Sequence, residues 1–514
     1  MPELISYFAE WSVYDRAYSI GKFPFSQSSM AYAFFDAGAD GKLVILDKWA
    51  ALQKPFSDSS DISPDSWSVG DENSRGNFGQ LRKLQAVGKL SNIAMSIGGW
   101  SCSKNFSTIM KSDSLIQTFT DEILTYLKTY PWFTTVDFDW EYVSNSGKSF
   151  GLEGNSTAVG DGDRFVKFLA SLRSKLPAGK RITICVSADP TKLADWDITS
   201  ASKYCDLITI MSYDHWSPNF GDTVTTHQAN LYPATHTRFS ADAAVKYLLS
   251  VGVAAKKLVI GVAAYSRGCS NTDGLGKSCS GNSPDSSWEP GICDVKTLPR
   301  AGATEFFDEE CQAAYSYDPV KRVFNSYDNY RSAAAKAQYV VDHGLGGCVL
   351  WEVSSDYPAN DPRSLVGAIS KVFKANVAST VSPTPTPSPP TTTPTTSTQP
   401  LTTPPTTSPT TTTSTQTPSQ LCCSPTCNCC SKCPCHTKTT TTPTNTSTNT
   451  TTNTTTQPPT TTTSTSTTGD WKAGTAYTVG MRVNYQGKLY QCINNHISQG
   501  DWTPSAVASL WKAV

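Results

Sequence analysis

Residues Thr135 to Tyr142 read TVDFDWEY and set Asp137, Asp139 and Glu141 at alternate positions, with Phe138 and Trp140 between them. In an extended strand alternate side chains leave one face about 6.6 to 7 Å apart, so three carboxyl groups would line one side while two rings pack behind. Folding alone gives no reason to crowd acids there. Like-charged carboxyls at that spacing raise one another's pKa, so one stays protonated near neutral pH and can serve as a general acid. The structural alternative is a solvated acidic edge strand. Such an edge would not carry Phe and Trp on its other face or follow directly on Trp132 and Phe133, so the arrangement points to acid–base chemistry.

The rest of the chain must position those acids. Eight strand-like apolar runs precede a change of composition near residue 376, and helical patterns separate most of them. They begin at Leu4 (LISYF), Met30 (MAYAFF), Asn92 (NIAMSI), Thr135 (TVDFDW), Ile182 (ITICVSA), Leu207 (LITIMSY), Lys257 (KLVIGVAAY) and Gly346 (GGCVLW). This is the order of an α/β fold, the (β/α)8 TIM barrel, whose chemistry sits at the C-terminal strand ends. The third run closes as Ser96-Ile97-Gly98-Gly99-Trp100 and the sixth as Met211-Ser212-Tyr213-Asp214, while Tyr265 with Arg267 and Trp351 close the last two. Taken singly these are ambiguous. Gly-Gly after a strand is usually a turn, Tyr and Asp are common structural hydrogen-bonders, and a buried Trp is more often core than site.

The octet resembles the signature of glycoside hydrolase family 18, the chitinases: Asp-x-x-Asp-x-Asp-x-Glu on the fourth barrel strand. Its last three acids match at Asp137, Asp139 and Glu141; Thr134 holds the place of the first, and Thr135 that of the usual following Gly. The resemblance covers residues 4 to about 373. It implies that Glu141 is the proton donor, with Asp137, Asp139 and Tyr213 beside it in catalysis. It also implies that Tyr7, Trp100, Met211, Asp214, Tyr265 and Arg267 line the sugar site, and that Trp351 is its floor. In the family the first Asp is buried and tunes the later acids, so Thr134 implies an altered pH profile rather than lost activity. The implied reaction is hydrolysis of β-1,4-linked N-acetylglucosamine polymers by a retaining, substrate-assisted route with no metal or organic cofactor. Two rivals are an endo-β-N-acetylglucosaminidase acting on N-glycans and a non-catalytic chitin-binding protein. Family members that became binders have generally lost the acid.

The stretch from about residue 268 to 325 is too long for a plain βα loop. It contains SSWEPGICDVKTL, Ser286 to Leu298, similar to the small α+β insertion some family members carry after the seventh strand. Cys269, Cys279, Cys293 and Cys311 in it are an even set, enough for two disulfides in any of three connectivities. Cys185, Cys205 and Cys348 fall in or beside strands, where a buried free thiol is expected.

Beyond a catalytic region of about residues 1–375 lie tracts of Thr, Pro and Ser, at about 376–420 and 438–468, with too few apolar side chains to fold. They read as linkers, with Asn445, Asn449 and Asn453 in glycosylation sequons. Between them, about residues 421–437, CCSPTCNCCSKCPCH carries seven cysteines from Cys422 to Cys435. A disulfide knot suits an exported protein and thiolate metal binding a reducing one; the neighbouring tracts favour disulfides. The odd count leaves one sulfur for Cys492, another chain or a free thiol. The last segment, 469–514, resembles the chitin-binding modules of carbohydrate-binding families 5 and 12, a small all-β unit. The resemblance implies a flat surface of Trp471, Tyr485 and Trp502, since the paired Trp of many relatives is Asn494 and Asn495 here, while Tyr490 and Trp511 are expected in the core. Formal net charge over 514 residues is -1, which gives no bulk attraction to nucleic acid or anionic membrane. No apolar run is long enough to span a bilayer. The chain is read as a monomer acting outside the cell, although Met1-Pro2-Glu3 leads into the first strand with no signal peptide.

Overall fold

The computed structural model describes residues 2–24, 29–57, 64–65, 75–233, 235, 237 and 239–380, and, at the C-terminus, 469–473, 475–478, 480–493, 496–498, 503–505 and 510–514. The first linker from residue 381 on, the second linker, the Cys422 to Cys435 segment, Asn494, Asn495 and Trp502 lie outside the described residues, while residues 376–380, expected in the linker, continue the helix that begins at Leu365.

Each of the eight apolar runs forms a strand: β1 (Glu3–Ala9), β2 (Ser29–Ala37), β3 (Asn92–Gly98), β4 (Thr135–Asp139), β5 (Arg181–Ser187), β6 (Leu207–Met211), β7 (Leu258–Ala263) and β8 (Gly347–Trp351). All neighbours pair in parallel, and β1 pairs with both β2 and β8, so the sheet closes. Closure buries both faces of each strand, which is why the runs are apolar throughout rather than alternating. Helices Gly76–Ala86, Asp113–Thr129, Asp161–Lys175, Ile198–Ser202, Ala241–Ser250, Tyr330–Asp342 and Leu365–Thr380 follow β2 to β8 in order. In Asp113–Thr129, Ser112 accepts the Leu115 N–H at the first turn. Phe119, Ile123 and Leu127, four apart, then face the barrel, and Pro131 follows the end. Tyr330–Asp342 starts with a capping box between Asn329 and Ser332. A buried ion pair ties that helix to β7. Lys336 Nζ lies 2.6 Å from Asp328 and donates to the Gly261 carbonyl at 3.0 Å, with neither side chain more than 1% exposed.

Behind the acids, Phe138 packs against Phe119, Phe165 and Phe168, and Trp140 stacks on Phe106 at 5.3 Å. Both rings are buried in the layer between β4 and its helices. Truncating such a ring costs about 3–5 kcal/mol, enough to hold the strand's facing rigidly.

The insertion after β7 is a four-stranded antiparallel sheet of Thr304–Asp308, Ala313–Asp318, Val323–Tyr327 and Arg267–Cys269, in that order. Its helical part is reduced to the 3-10 turn Val295–Thr297, because Pro284, Pro290, Gly291 and Pro299 interrupt the segment. The two disulfides that this even set allows are not formed among the described residues. All four cysteines are free thiols. Cys269 and Cys279 adjoin within one apolar cluster, whereas Cys293 takes an N–H from Arg300 and Cys311 sits beside Asp308 and His227. Cys185, Cys205 and Cys348 are buried free thiols, as is Cys102.

The C-terminal module has one sheet of Gly469–Asp470, Arg482–Tyr485, Lys488–Cys492 and Trp511–Ala513, and a pair of short strands, Ala476–Tyr477 with His496–Ile497. Its central hairpin turns through Gln486 and Gly487, both at positive φ, the two-residue geometry that matches strand twist. Tyr477, Val483, Tyr490, Cys492 and Trp511 form its core, as expected of Tyr490 and Trp511. Trp471 and Tyr485 are only partly buried and meet edge to face at 5.4 Å. Among the described residues no helix is long and apolar enough to cross a membrane.

Candidate active site

Three carboxyl groups sit at the C-terminal end of β4, as the octet predicts, and all are buried: Asp137 at 2%, Asp139 at 5% and Glu141 at 8% exposure. Strand register supplies the bed beneath them. Ser96 of β3 and Thr183 of β5 are the direct partners of Asp137, so their side chains share its inward face. Ser96 Oγ and Tyr7 Oη each donate to Asp137 Oδ2 at 2.7 Å, and Thr183 Oγ1 donates to Oδ1. Cys185 Sγ lies 3.1 Å from Tyr7 Oη and 3.8 Å from both Asp137 oxygens.

Asp139 is different. Among the described residues its Oδ1 is buried without a hydrogen-bond partner; burial, then the nearby Glu141 and Asp137, push its pKa well above the carboxylate range, against a hydrogen bond from Cys185 to the same carboxyl group. Glu141 is raised to about 7, with burial the main cause; a hydrogen bond from Tyr142 and the charge of Lys192 oppose that rise, and Asp214 adds to it. Desolvation therefore leads in both, ahead of the carboxyl–carboxyl repulsion that the spacing alone suggests. Lys192 Nζ lies over the Tyr142 ring at 3.9 Å. Ser103 Oγ accepts the Glu141 N–H at 2.8 Å and lies 3.1 Å from the Asp139 carbonyl, fixing the turn between the two acids.

Close approach of backbones explains the Gly-Gly after β3. A Cβ on Gly98, at φ 112°, would lie 2.2 Å from the Asp139 carbonyl oxygen, and one on Gly99 would strike the Phe34 ring at 2.7 Å. Thr134 stands at the opposite end of β4. Its hydroxyl accepts the Ile93 N–H at 2.9 Å, so its hydrogen bonds join β3 to β4 and reach none of the acids.

The sixth and seventh strand ends face the acids as a second charged unit. Tyr265 Oη and Arg267 Nε donate to Asp214 Oδ1 at 2.8 and 2.7 Å. Burial opposes its charge, yet Arg267 and Tyr265 hold Asp214 below its usual pKa. Asp214 has φ 58°, and Gln228 secures it by accepting its N–H at 3.0 Å while donating to the Tyr265 carbonyl at 2.9 Å. Tyr213 meets Tyr265 edge to face at 6.0 Å. Trp351 stacks on Phe34 at 5.3 Å and meets Tyr7 edge-on at 5.3 Å, forming with Met211 part of the apolar lining inside the barrel. Trp100 is 42% exposed on the loop after β3, apart from this hydrogen-bonded cluster.

Thus Tyr7, Asp137, Asp139, Glu141, Tyr213, Asp214, Tyr265, Arg267 and Trp351 gather at one end of the barrel. Thr183, Ser103, Tyr142, Lys192 and Gln228 are additions that the sequence reading missed. Thr183 was recoverable by extending the inward alternation of β4 across its neighbours; Ser103, Tyr142 and Gln228 lie on loops and Lys192 on the single-turn helix Pro190–Leu193, none with a periodic signal. A further cavity, lined by Glu3, Asn92, Arg181 and Thr183, lies at the N-terminal end, where the Glu3–Arg181 pair spans it at 3.0 Å. It meets Asp137 from beneath, away from the strand ends that carry chemistry in such barrels.

Comparison with known proteins agrees with this geometry. Endochitinase 1 of Metarhizium robertsii is 32% identical over 371 residues, covering 71% of this chain and 83% of that protein. Sporulation-specific chitinase 2 of Saccharomyces cerevisiae is 29% identical, covering 73% and 78%. Among solved structures, the catalytic domain of psychrophilic chitinase B from Arthrobacter TAD20 superposes with a TM-score of 0.64 at 27% identity, covering 73% of this chain and 95% of that one. Residues 470–512 match Carbohydrate-binding module family 5/12. With residues 3–356 matching Glycosyl hydrolases family 18 and the acids of β4 in place, the chain belongs to that family.

Proposed function

We propose that this glycoside hydrolase cleaves chitin, the β-1,4-linked polymer of N-acetylglucosamine, by a retaining, substrate-assisted mechanism with Glu141 as general acid and base. The observation that carries the reading is a buried Glu141 with its pKa raised to about 7, directly beside a buried Asp139 that has an unpartnered oxygen. A carboxyl poised near neutral pH is suited to giving a proton to the glycosidic oxygen and taking one from water afterwards. Asp139 and Tyr213 would hold the substrate's acetamido group, whose carbonyl attacks the anomeric carbon. The unpartnered Oδ1 is an acceptor for that group's N–H, and the positive charge of the forming oxazolinium ion would favour the ionised carboxylate there. Asp137, saturated by Tyr7, Ser96 and Thr183, would keep Asp139 in place from below. Trp351 would offer its face to the sugar ring, with Met211, Asp214, Tyr265 and Arg267 lining the same subsite and Trp100 extending it outward.

The module at 470–512, with Trp471 and Tyr485 partly exposed, favours an insoluble polymer over a glycoprotein glycan as substrate. It also supports action outside the cell, where such a polymer is met. Product analysis on colloidal chitin, chitin oligomers and a high-mannose glycoprotein side by side tests this. Release from both chitin substrates, with the glycoprotein untouched, is expected; cleavage of the glycoprotein alone would replace the proposal with its endo-β-N-acetylglucosaminidase rival.

A further inference from the structure

We infer a divalent transition-metal site formed by His227, Asp308 and Cys311, which joins the loop after β6 to the antiparallel insertion. One nitrogen, one carboxylate oxygen and one sulfur from these residues lie within 4.8 Å of one another. His227 Nε2 and Asp308 Oδ2 are already 3.1 Å apart. Around a tetrahedral zinc ion, with bonds of about 2.0 Å to N and O and 2.3 Å to S, ligand atoms stand roughly 3.3–3.6 Å apart, so closure needs shifts of about 1 Å.

The donors come from separate segments, and the surroundings orient them. Asp308 Oδ1 accepts the backbone N–H groups of Glu310 and Cys311 at 3.0 and 3.4 Å, which leaves Oδ2 to point at the histidine, as outer hydrogen bonds do for metal-bound carboxylates. His227 and Cys311 side chains are buried, while the Asp308 side chain keeps 27% exposure, giving an ion and a fourth, water ligand a way in. A set of one imidazole, one thiolate and one carboxylate selects zinc or a similar borderline ion, and offers too few oxygens for calcium or magnesium. Coordination would convert the Cys311 thiol to thiolate and release its proton to solvent.

Such an ion would reach the sugar site through one residue. Gln228, next to His227, holds the Asp214 N–H and the Tyr265 carbonyl and donates its own N–H to Ser326 of the insertion sheet. The Cys311 carbonyl accepts the N–H groups of Leu231 and Tyr232. Metal at this point would clamp the loop to the sheet and stiffen the Asp214–Tyr265 side of the sugar site.

The test uses the full-length protein, Cys311→Ser and Asp308→Asn, each equilibrated with zinc, freed of excess and analysed for bound metal. The cysteines from Cys422 to Cys435 contribute equally to all three, so the difference between proteins isolates this site. Both variants should hold about one equivalent less zinc than the parent. Zinc should also raise the unfolding temperature of the parent alone, and cobalt should give it a thiolate-to-metal absorption band that both variants lack. Asp308→Asn keeps the shape of a partly exposed side chain, so it guards against misfolding in the cysteine variant. Equal zinc uptake by all three, or a loss confined to one variant, overturns the site and leaves an ordinary His–Asp pair beside a thiol.

Discussion

Glu141→Gln should abolish turnover and, at alkaline pH, make the protein more stable. Inside the fold the Glu141 pKa is about 7, against 4.5 for the free side chain, chiefly through burial. A difference of that size corresponds to roughly 3 kcal/mol by which the fold disfavours the carboxylate. The sign follows from linkage. Below about pH 4.5 the group is protonated whether folded or unfolded and costs nothing. As pH rises the unfolded chain ionises first, so stability falls progressively until the folded group also ionises near 7, beyond which the loss is complete. Glutamine keeps the shape and cannot ionise. Thermal unfolding should therefore give parent and variant similar midpoints at pH 4, while at pH 8 the variant unfolds about 6 °C higher, taking about 2 °C per kcal/mol for a domain of this size. Hydrolysis of a soluble chitin oligomer should fall by about 10² to 10⁴-fold or more, with binding retained. In the parent, kcat/KM should decline above pH 7 as the acid loses its proton. A midpoint difference that is the same at pH 4 and pH 8 would refute the argument, because a Glu141 with an ordinary pKa carries no such pH-dependent cost.

Lys192→Met removes a positive charge that lowers the Glu141 pKa, so the alkaline limb of kcat/KM should move to higher pH, measured on soluble oligomers; an unmoved or lowered limb contradicts this. Asp139→Asn should cut turnover strongly with little change in oligosaccharide affinity, since its charge matters only as the oxazolinium ion forms; isothermal titration with the variant checks the affinity. Lys336→Met leaves the buried Asp328 without its cation and should cost about 3–5 kcal/mol, read by denaturant unfolding. Ending the chain after the helix that closes at Thr380 should leave cleavage of soluble oligomers nearly unchanged and weaken action on crystalline chitin, because the module supplies effective concentration only. An equal loss on both substrates would make the tail part of the site.

The barrel was legible because closure forces its signature on the sequence. Strands buried on both faces become continuous apolar runs, and all eight runs became strands. The acids of β4 were legible for the same geometric reason, since alternation fixes which side chains share a face. Closing contacts were not. Ser103 and Gln228 lie on loops and reach the site through backbone paths that only the fold defines. Position 134 gives the opposite lesson. A motif comparison attaches it to the acids, yet Thr134 sits at the far end of the strand and bonds to Ile93. An even count of cysteines allows two disulfides in the insertion but says nothing of proximity; of the four, only Cys269 and Cys279 share a cluster.

The central claim is that the substrate's own acetamido group, rather than a protein carboxylate, is the nucleophile beside Glu141. Proton magnetic resonance of the first products from a chitin oligomer, recorded before mutarotation, tests it most directly when run alongside a fully deacetylated oligomer of equal length. β-Anomeric ends are expected from the acetylated substrate and no cleavage of the deacetylated one. Products that first appear as the α anomer, or cleavage of the deacetylated oligomer at a comparable rate, would contradict it.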